Sequence, residues 1–210
     1  MNELSFSVLN ARAEPYAAVP TINLRLSVAS SVPEPVHAVA LRCQVRIEPQ
    51  RRRYDSGEEE RLEELFGDTP RWGDTLRPFL WTHLATTLTG FTGVTEVDLP
   101  LPVSYDFEVA GAKYLHSLGD GEVPLVLLFS GTVFSRGNSG FSAQPVPWHA
   151  EASYRMPVKV WREVMDMYFP NSGWLRLPCE TIDRLSRRKV EWALATFDQT
   201  IETLLKEHET

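Results

Sequence analysis

The chain has 210 residues, of which 43% are apolar, and 21 Lys+Arg against 28 Asp+Glu give it a formal charge of −7. That is one domain's worth of material, able to bury about 70% of the surface its unfolded form exposes without metal or disulfide staples. The acidic balance argues against nucleic acid as a partner, because phosphate binding needs a net basic face. Apolar runs such as 125–129 fall far short of the roughly 20 residues of a membrane helix, and Met-Asn-Glu-Leu opens no signal peptide, so the expected location is the cytoplasm. Cys43 and Cys179 are isolated thiols with no CxxC or His/Cys cluster around them, as in a reducing compartment.

In Ile22-Asn23-Leu24-Arg25-Leu26-Ser27-Val28 every second residue is apolar, the pattern of a strand with one face on a core and one in water. The turn signal Ser30-Ser31-Val32-Pro33-Glu34-Pro35 follows. The alternation then returns with Val39, Leu41, Cys43, Val45 and Ile47, which predicts an antiparallel hairpin. Leu4, Phe6 and Val8 repeat the period and predict a third strand. Arg51-Arg52-Arg53 and an acidic run over 58–64 lead into a short surface helix ending near Gly67, with Leu62, Leu65 and Phe66 on one face. A loop over 68–78 is expected to cover one sheet edge.

Residues 79–89 read as a strand in which Phe79/Trp81/His83 and Leu80/Leu84/Leu88 compete for the inward face. The odd positions 99–109 predict a strand that Pro100 and Pro102 push to an edge. A short helix with Ala112, Tyr114, Leu115 and Leu118 follows, then a highly apolar central strand over 123–135. The turn Gly137-Asn138-Ser139-Gly140 leads into a strand over 141–155 on which Val146, Trp148, Ala150, Ala152 and Tyr154 alternate with polar residues. Beyond Pro157, Val160, Trp161, Val164, Met165 and Tyr168 share a helical face, and Pro170-Asn171-Ser172-Gly173 stops that helix. After Pro178 one long helix is expected to reach about residue 206, with the stripe Val190, Ala193, Leu194, Phe197, Ile201, Leu204 and Leu205. At the usual rise it would be about 40 Å long, more than one face of a small sheet needs. The expectation is a single α+β domain over 1–210: an antiparallel β-sheet or sandwich, mainly β with short helical insertions over 1–156, followed by two C-terminal helices over 157–207.

No catalytic motif is visible, so an enzyme is not expected, and neither a cofactor nor a metal is called for. Ser130-Gly131-Thr132 matches no nucleophile elbow, and Gly137-Asn138-Ser139-Gly140 lacks the lysine of a phosphate loop. His149 and Glu151, two apart on one predicted strand, share a face without a third ligand, and the acids Asp98, Asp106 and Glu108 form no pattern. Two features point instead to protein contact. Trp148, Trp161 and Trp174, with nearby tyrosines, join the last strand to the helices, either as core, since large aromatics bury well, or as an exposed groove for a partner, since they are enriched at interfaces. Arg184, Arg187, Arg188 and Lys189 make a basic patch, either a solvated face paired through Glu180/Arg184 and Asp183/Arg187 or a dock for an acidic partner. The candidate protein-binding residues are therefore Trp148, Trp161, Trp174, Arg187, Arg188 and Lys189, and the C-terminal helix offers a route to a homo-oligomer.

The run Pro124-Leu125-Val126-Leu127-Leu128-Phe129-Ser130-Gly131-Thr132 and above all Tyr168-Phe169-Pro170-Asn171-Ser172-Gly173-Trp174 resemble an actinobacterial family encoded beside high-affinity uptake [NiFe]-hydrogenases. The resemblance implies an accessory protein whose partner is a hydrogenase subunit or maturation factor, and it brings no catalytic residues. In addition, Ile22-Asn23-Leu24-Arg25-Leu26 with Val39-Ala40-Leu41-Arg42-Cys43 is similar to the first strands of SecB-type chaperones. That likeness implies, as the alternative, a module binding an unfolded segment or an apolar ligand.

Overall fold

Two alternating segments, each with one fully apolar face, can bury those faces either side by side in one sheet or opposite each other across a core. The computed structural model, which describes residues 4–103, 109–137, 140–171 and 177–208, shows the second arrangement. Strand β2 (Thr21–Ser30) lies between β1 (Leu4–Ala13) and β5 (Val94–Pro102) in a three-stranded antiparallel sheet. Strand β3 (Val36–Ile47) belongs to a five-stranded sheet, between β4 (Phe79–Phe91) and β6 (Glu122–Gly137). The predicted hairpin between 22–28 and 39–47 is therefore corrected: the proline-bearing turn carries the chain from one sheet to the other. Alternation reports a half-buried strand but not its neighbour. The predicted inward residues are right, since Ile22, Leu24, Leu26 and Val28 face Val39, Leu41, Cys43, Val45 and Ile47 in one buried core. Phe6 of β1 stacks on Phe129 of β6, ring centroids 4.2 Å apart, and fastens the two sheets.

Two β-bulges explain the patterns that a strict period of two leaves ambiguous. On β4 the register against β3 shifts between Val45 and Arg46, so that Trp81 is the extra residue. Phe79 and Trp81 face inward before the bulge and Leu84 and Leu88 after it, while Leu80 and His83 stay outside. Both competing faces are thus correct, each for half of the strand. On β1 the shift at Leu9 turns Ala11 and Ala13 inward after Leu4, Phe6 and Val8. The central strand β6 carries Gly131 with φ of +142°, where an added Cβ would lie 2.0 Å from the Ala40 carbonyl oxygen. Only glycine fits there.

Helices cover the sandwich end at which Ile47, Phe79 and Leu125 pair. Helix α1 (Ser56–Phe66) begins with a capping box, in which Asp55 accepts from the Glu58 backbone N–H and Glu58 accepts from that of Asp55. Trp72 in the single turn α2 (Trp72–Thr75) donates from Nε1 to the Gly67 carbonyl at 2.7 Å. Helix α3 (Val109–Ser117) brings the buried Tyr114 edge-on to Phe66 and Phe79. The predicted strand over 99–109 ends at Pro102; Tyr105, Asp106, Phe107 and Glu108 lie outside the described residues, and Val109 opens α3. After β7 (Gly140–Pro145) and β8 (Glu151–Pro157), helix α4 (Val158–Tyr168) buries Val160, Trp161 and Val164 as its spacing predicts. The Tyr168 hydroxyl reaches the carbonyls of Glu14 and Ala17 at 3.1 and 2.7 Å.

The chain divides into two compact units, 1–170 and 171–210, where the sequence suggested a single domain. In the second unit the one long helix is corrected to two, α5 (Cys179–Glu191) and α6 (Phe197–His208). The break is a Schellman motif: Leu194 N–H donates to the Lys189 carbonyl and Ala193 N–H to that of Val190. Ala193 takes the left-handed conformation, φ 51°, that glycine usually fills. Thr196 then caps α6 by accepting the Gln199 backbone N–H at 3.2 Å. Among the described residues no helix is long and apolar enough to cross a membrane.

Candidate protein-binding site

The outer side of β6 is shared by two short strands, and the join between them carries an exposed tryptophan. Residues 122–128 of β6 pair with β8 and residues 132–137 with β7. Between these ladders three residues of β6, Phe129 to Gly131, oppose five, Val146 to Ala150. Val146 N–H donates to the Gly131 carbonyl at 3.0 Å and Phe129 N–H to the Ala150 carbonyl at 2.8 Å, which pins both ends of the longer segment. Ala150 N–H closes a turn on the Pro147 carbonyl at 3.0 Å. Val146 and Ala150 point inward and are buried, so the intervening turn must bulge outward and Trp148 is 94% exposed. Its ring stands edge-on to His149, centroids 5.6 Å apart. The continuous strand predicted over 141–155 is thereby corrected, as is the inward place given to Trp148. His149 sits in the turn and Glu151 on β8, so the two do not share a strand face.

A tryptophan held this way is a ready anchor. Its surface is roughly 200 Å², so covering it would contribute about 5 kcal/mol at 25 cal/mol per Å², less the cost of association.

Of the other predicted site residues one is buried, one lies outside the described residues and three belong to the second unit. Trp161 is core: it is buried on α4 and meets His116 edge-to-face at 4.6 Å. Burial lowers the His116 pKa. Trp174 lies outside the described residues. Arg187, Arg188 and Lys189 follow one another near the end of α5, in the second unit. Arg188 pairs with Glu191 at 2.9 Å and lies 5.7 Å from the Trp192 ring, and Lys189 lies 5.2 Å from the Phe197 ring. The pairs Glu180/Arg184 and Asp183/Arg187 are not formed among the described residues. Val190, beside this basic segment, is 76% exposed.

One polar cluster was missed in the sequence. Arg52 and Glu58 form an ion pair at 2.5 Å with side chains 8% and 3% exposed. Arg52 also donates to the carbonyls of Asp120 (2.6 Å) and Glu122 (2.7 Å), and Glu58 accepts the Gly119 N–H at 2.7 Å. Arg61 donates to the Ser117 carbonyl, and Arg162 to those of Leu118 and Gly119. Three arginines therefore tie α1, α4 and the chain before α1 to the segment 117–122. Next to them the Tyr54 and Tyr114 hydroxyls stand 3.0 Å apart, and burial raises both phenol pKa values, that of Tyr114 to about 12. The carboxylate of Glu58 is engaged on both oxygens inside the fold, the role of a staple rather than of an acid or base. The capping-box spacing Asp55-x-x-Glu58 was the available signal.

On the outer face of the three-stranded sheet, Asp98 bridges Arg12 and Arg25, and Arg25 also pairs with Glu96. These residues line a shallow depression of about 370 Å³ together with Leu9 and Asn10. Among the described residues no three His, Cys, Asp or Glu side chains come together as metal ligands would.

The fold and its edge define an α+β protein built on a two-sheet sandwich that displays an ordered tryptophan. All of the chain, residues 1–210, matches the family of unknown function DUF6084, and the protein belongs to that family. Among curated proteins none matches. Similar solved structures include a β-glucosidase from Kluyveromyces marxianus, 7% identical over 74% of this chain with a TM-score of 0.29. The ApaA protein from Bordetella pertussis is 14% identical, with 74% of this chain and 95% of that one covered and a TM-score of 0.28. β-Glucosidase 3B from Thermotoga neapolitana is 10% identical over 73% of this chain, TM-score 0.26. The chain spans only 15% and 17% of the lengths of the two glucosidases.

Proposed function

We propose that the protein is a non-catalytic, cytoplasmic accessory factor that acts by protein–protein contact, in the assembly of an uptake [NiFe]-hydrogenase. The setting comes from the sequence resemblance around residues 124–132 and 168–174. The mode of action rests on one observation: Trp148 is 94% exposed on a turn whose two ends are hydrogen-bonded into the central strand. An apolar ring fixed in water contributes nothing to folding, and a preorganised aromatic loses little entropy when a partner covers it. Arg187, Arg188 and Lys189 add a positive segment on an otherwise acidic chain, suited to speed encounter with an acidic partner.

The test is to carry Trp148→Ser, and separately Arg187→Glu with Arg188→Glu and Lys189→Glu, in cells that make the uptake hydrogenase. Binding to purified hydrogenase subunits and maturation factors is measured alongside hydrogenase activity, with circular dichroism confirming the fold. Trp148→Ser is expected to weaken binding about 10- to 100-fold and the triple variant to slow association. Folded variants that bind and support activity as the wild type does would overturn the proposal.

A further inference from the structure

Among the described residues no strand pairs with the outer edge of β7, and its sequence, Gly140-Phe141-Ser142-Ala143-Gln144-Pro145, contains no charge. Edge strands are usually protected by lysine, an inward charge, a bulge or a covering element. Each remaining edge carries such a feature: β4 a bulge at Trp81, β5 Pro100 and Pro102, β8 Glu151 and Arg155, and β1 a bulge.

The hydrogen bonds already made determine which backbone groups β7 leaves open. Val146 N–H bonds to the Gly131 carbonyl, so 146 and 131 form a hydrogen-bonded pair, and such pairs alternate along an antiparallel ladder. Gln144 and Ser142 therefore direct their N–H and C=O groups toward β6. Phe141 and Ala143 direct theirs outward, and Pro145, on the same side, has no N–H to leave unpaired. On the outer sheet face Phe141 is 72% exposed and stacks on Phe134 at 5.6 Å.

We infer that this edge binds a second copy of the chain, β7 against β7, across a two-fold axis at Ser142. Of the self-pairing registers, the one that opposes Phe141 with Ala143 of the second copy satisfies both outward donors and both outward acceptors of each strand, in four hydrogen bonds. Pro145 ends the ladder on either side. Opposed residues share a face, so each Phe141 lies beside the other copy's Ala143 and diagonally across from its Phe141, about 7–8 Å away, within reach of an aromatic ring. The two Phe134–Phe141 stacks then join in one apolar row. Because β7 is uncharged, the net negative charge of the two copies is not concentrated at the contact. The interface is small, below the roughly 1,200 Å² of a stable complex, which makes the dimer a weak one with a dissociation constant on the order of 100 µM.

Sedimentation of the full chain from about 5 µM to about 500 µM, a span around that constant, tests this. The average mass is expected to rise from 23.8 kDa toward twice that value. Ala143→Pro removes an outward N–H without touching the bonds to β6, and Phe141→Lys places two positive charges near the axis. Each is expected to weaken the dimer at least about tenfold, the worth of one lost hydrogen-bonded contact, while Ser7→Lys on β1 leaves it unchanged. If Ala143→Pro fails to fold, Phe141→Lys decides. A wild type monomeric over the whole range, or a dimer indifferent to Phe141→Lys, would overturn the inference.

Discussion

The Arg52–Glu58 pair gives the sharpest test of what holds the helical end of the sandwich in place. Glu58→Gln keeps the shape and one acceptor for the Gly119 N–H but removes the charge, leaving the Arg52 guanidinium buried beside backbone carbonyls and the Tyr54 ring. Breaking a buried pair by removing one charge costs about 3–5 kcal/mol. The carbonyls of Asp120 and Glu122 soften this, so about 3 kcal/mol is expected. Arg52→Met leaves Glu58 ionised on two backbone N–H donors and should cost a similar amount. With both changes no unpaired charge remains, and the double variant should be about 3 kcal/mol more stable than the sum of the singles predicts. Urea unfolding followed by tryptophan fluorescence and far-UV circular dichroism measures each term. With a slope of about 2 kcal/mol/M, either single substitution shifts the midpoint by about 1.5 M. Single effects below about 1 kcal/mol that simply add would refute the reasoning, because exposed pairs behave in that way.

Two further outcomes follow from buried groups. Burial pushes the Cys43 thiol up to about 12, whereas Cys179 is exposed, so a thiol reagent should label one cysteine per native chain and the second only on unfolding; Cys43→Asp should cost about 4 kcal/mol or more, and an unchanged melting temperature would show that Cys43 does not face the core. The phenols of Tyr54 and Tyr114 are raised in the folded state, chiefly by burial, so the stability they confer is complete below the unfolded value of about 10 and is lost as pH rises toward and beyond about 12. Absorbance at 295 nm should show at least two tyrosinates appearing only together with loss of the native circular dichroism, and complete tyrosine titration in a still-folded protein would contradict this.

Where a residue's role depends on its own alternation, the sequence was legible; where it depends on a neighbour chosen by the fold, it was not. Val39 to Ile47 face the core as their period dictates, yet nothing local states that β3 pairs with β4 and β6 instead of β2. The conflict on β4 was itself information: two half-patterns that disagree in phase indicate an inserted residue, and Trp81 is that residue. At the C-terminus the break was hidden because alanine occupies the left-handed cap position, although Thr196-x-x-Gln199, a helix-start signature, was present to be read. Arg52 and Glu58 looked like members of solvated charge runs, since burial of an ion pair depends on the distant segment 117–122 closing over it.

Trp148 shows why a contact surface is harder to read than a core. Its neighbours Val146 and Ala150 are apolar, and alternation assigns all three to one inward face. The structure keeps Val146 and Ala150 inside and lifts the tryptophan out, because five residues must fit against three of β6. Part of the cause lies elsewhere in the chain: Gly131, opposite the turn, sits so close to Ala40 that any side chain would collide with it. A local excess of length thus converts a position that periodicity marks as core into the most exposed tryptophan of the described chain. Deleting Pro147 and His149 would let β7 and β8 merge into one regular strand, with Trp148 between the inward Val146 and Ala150 and therefore on the outer sheet face. That deletion lays the ring on the sheet instead of lifting it on a projecting turn, a complement to Trp148→Ser that changes the presentation of the ring rather than its chemistry.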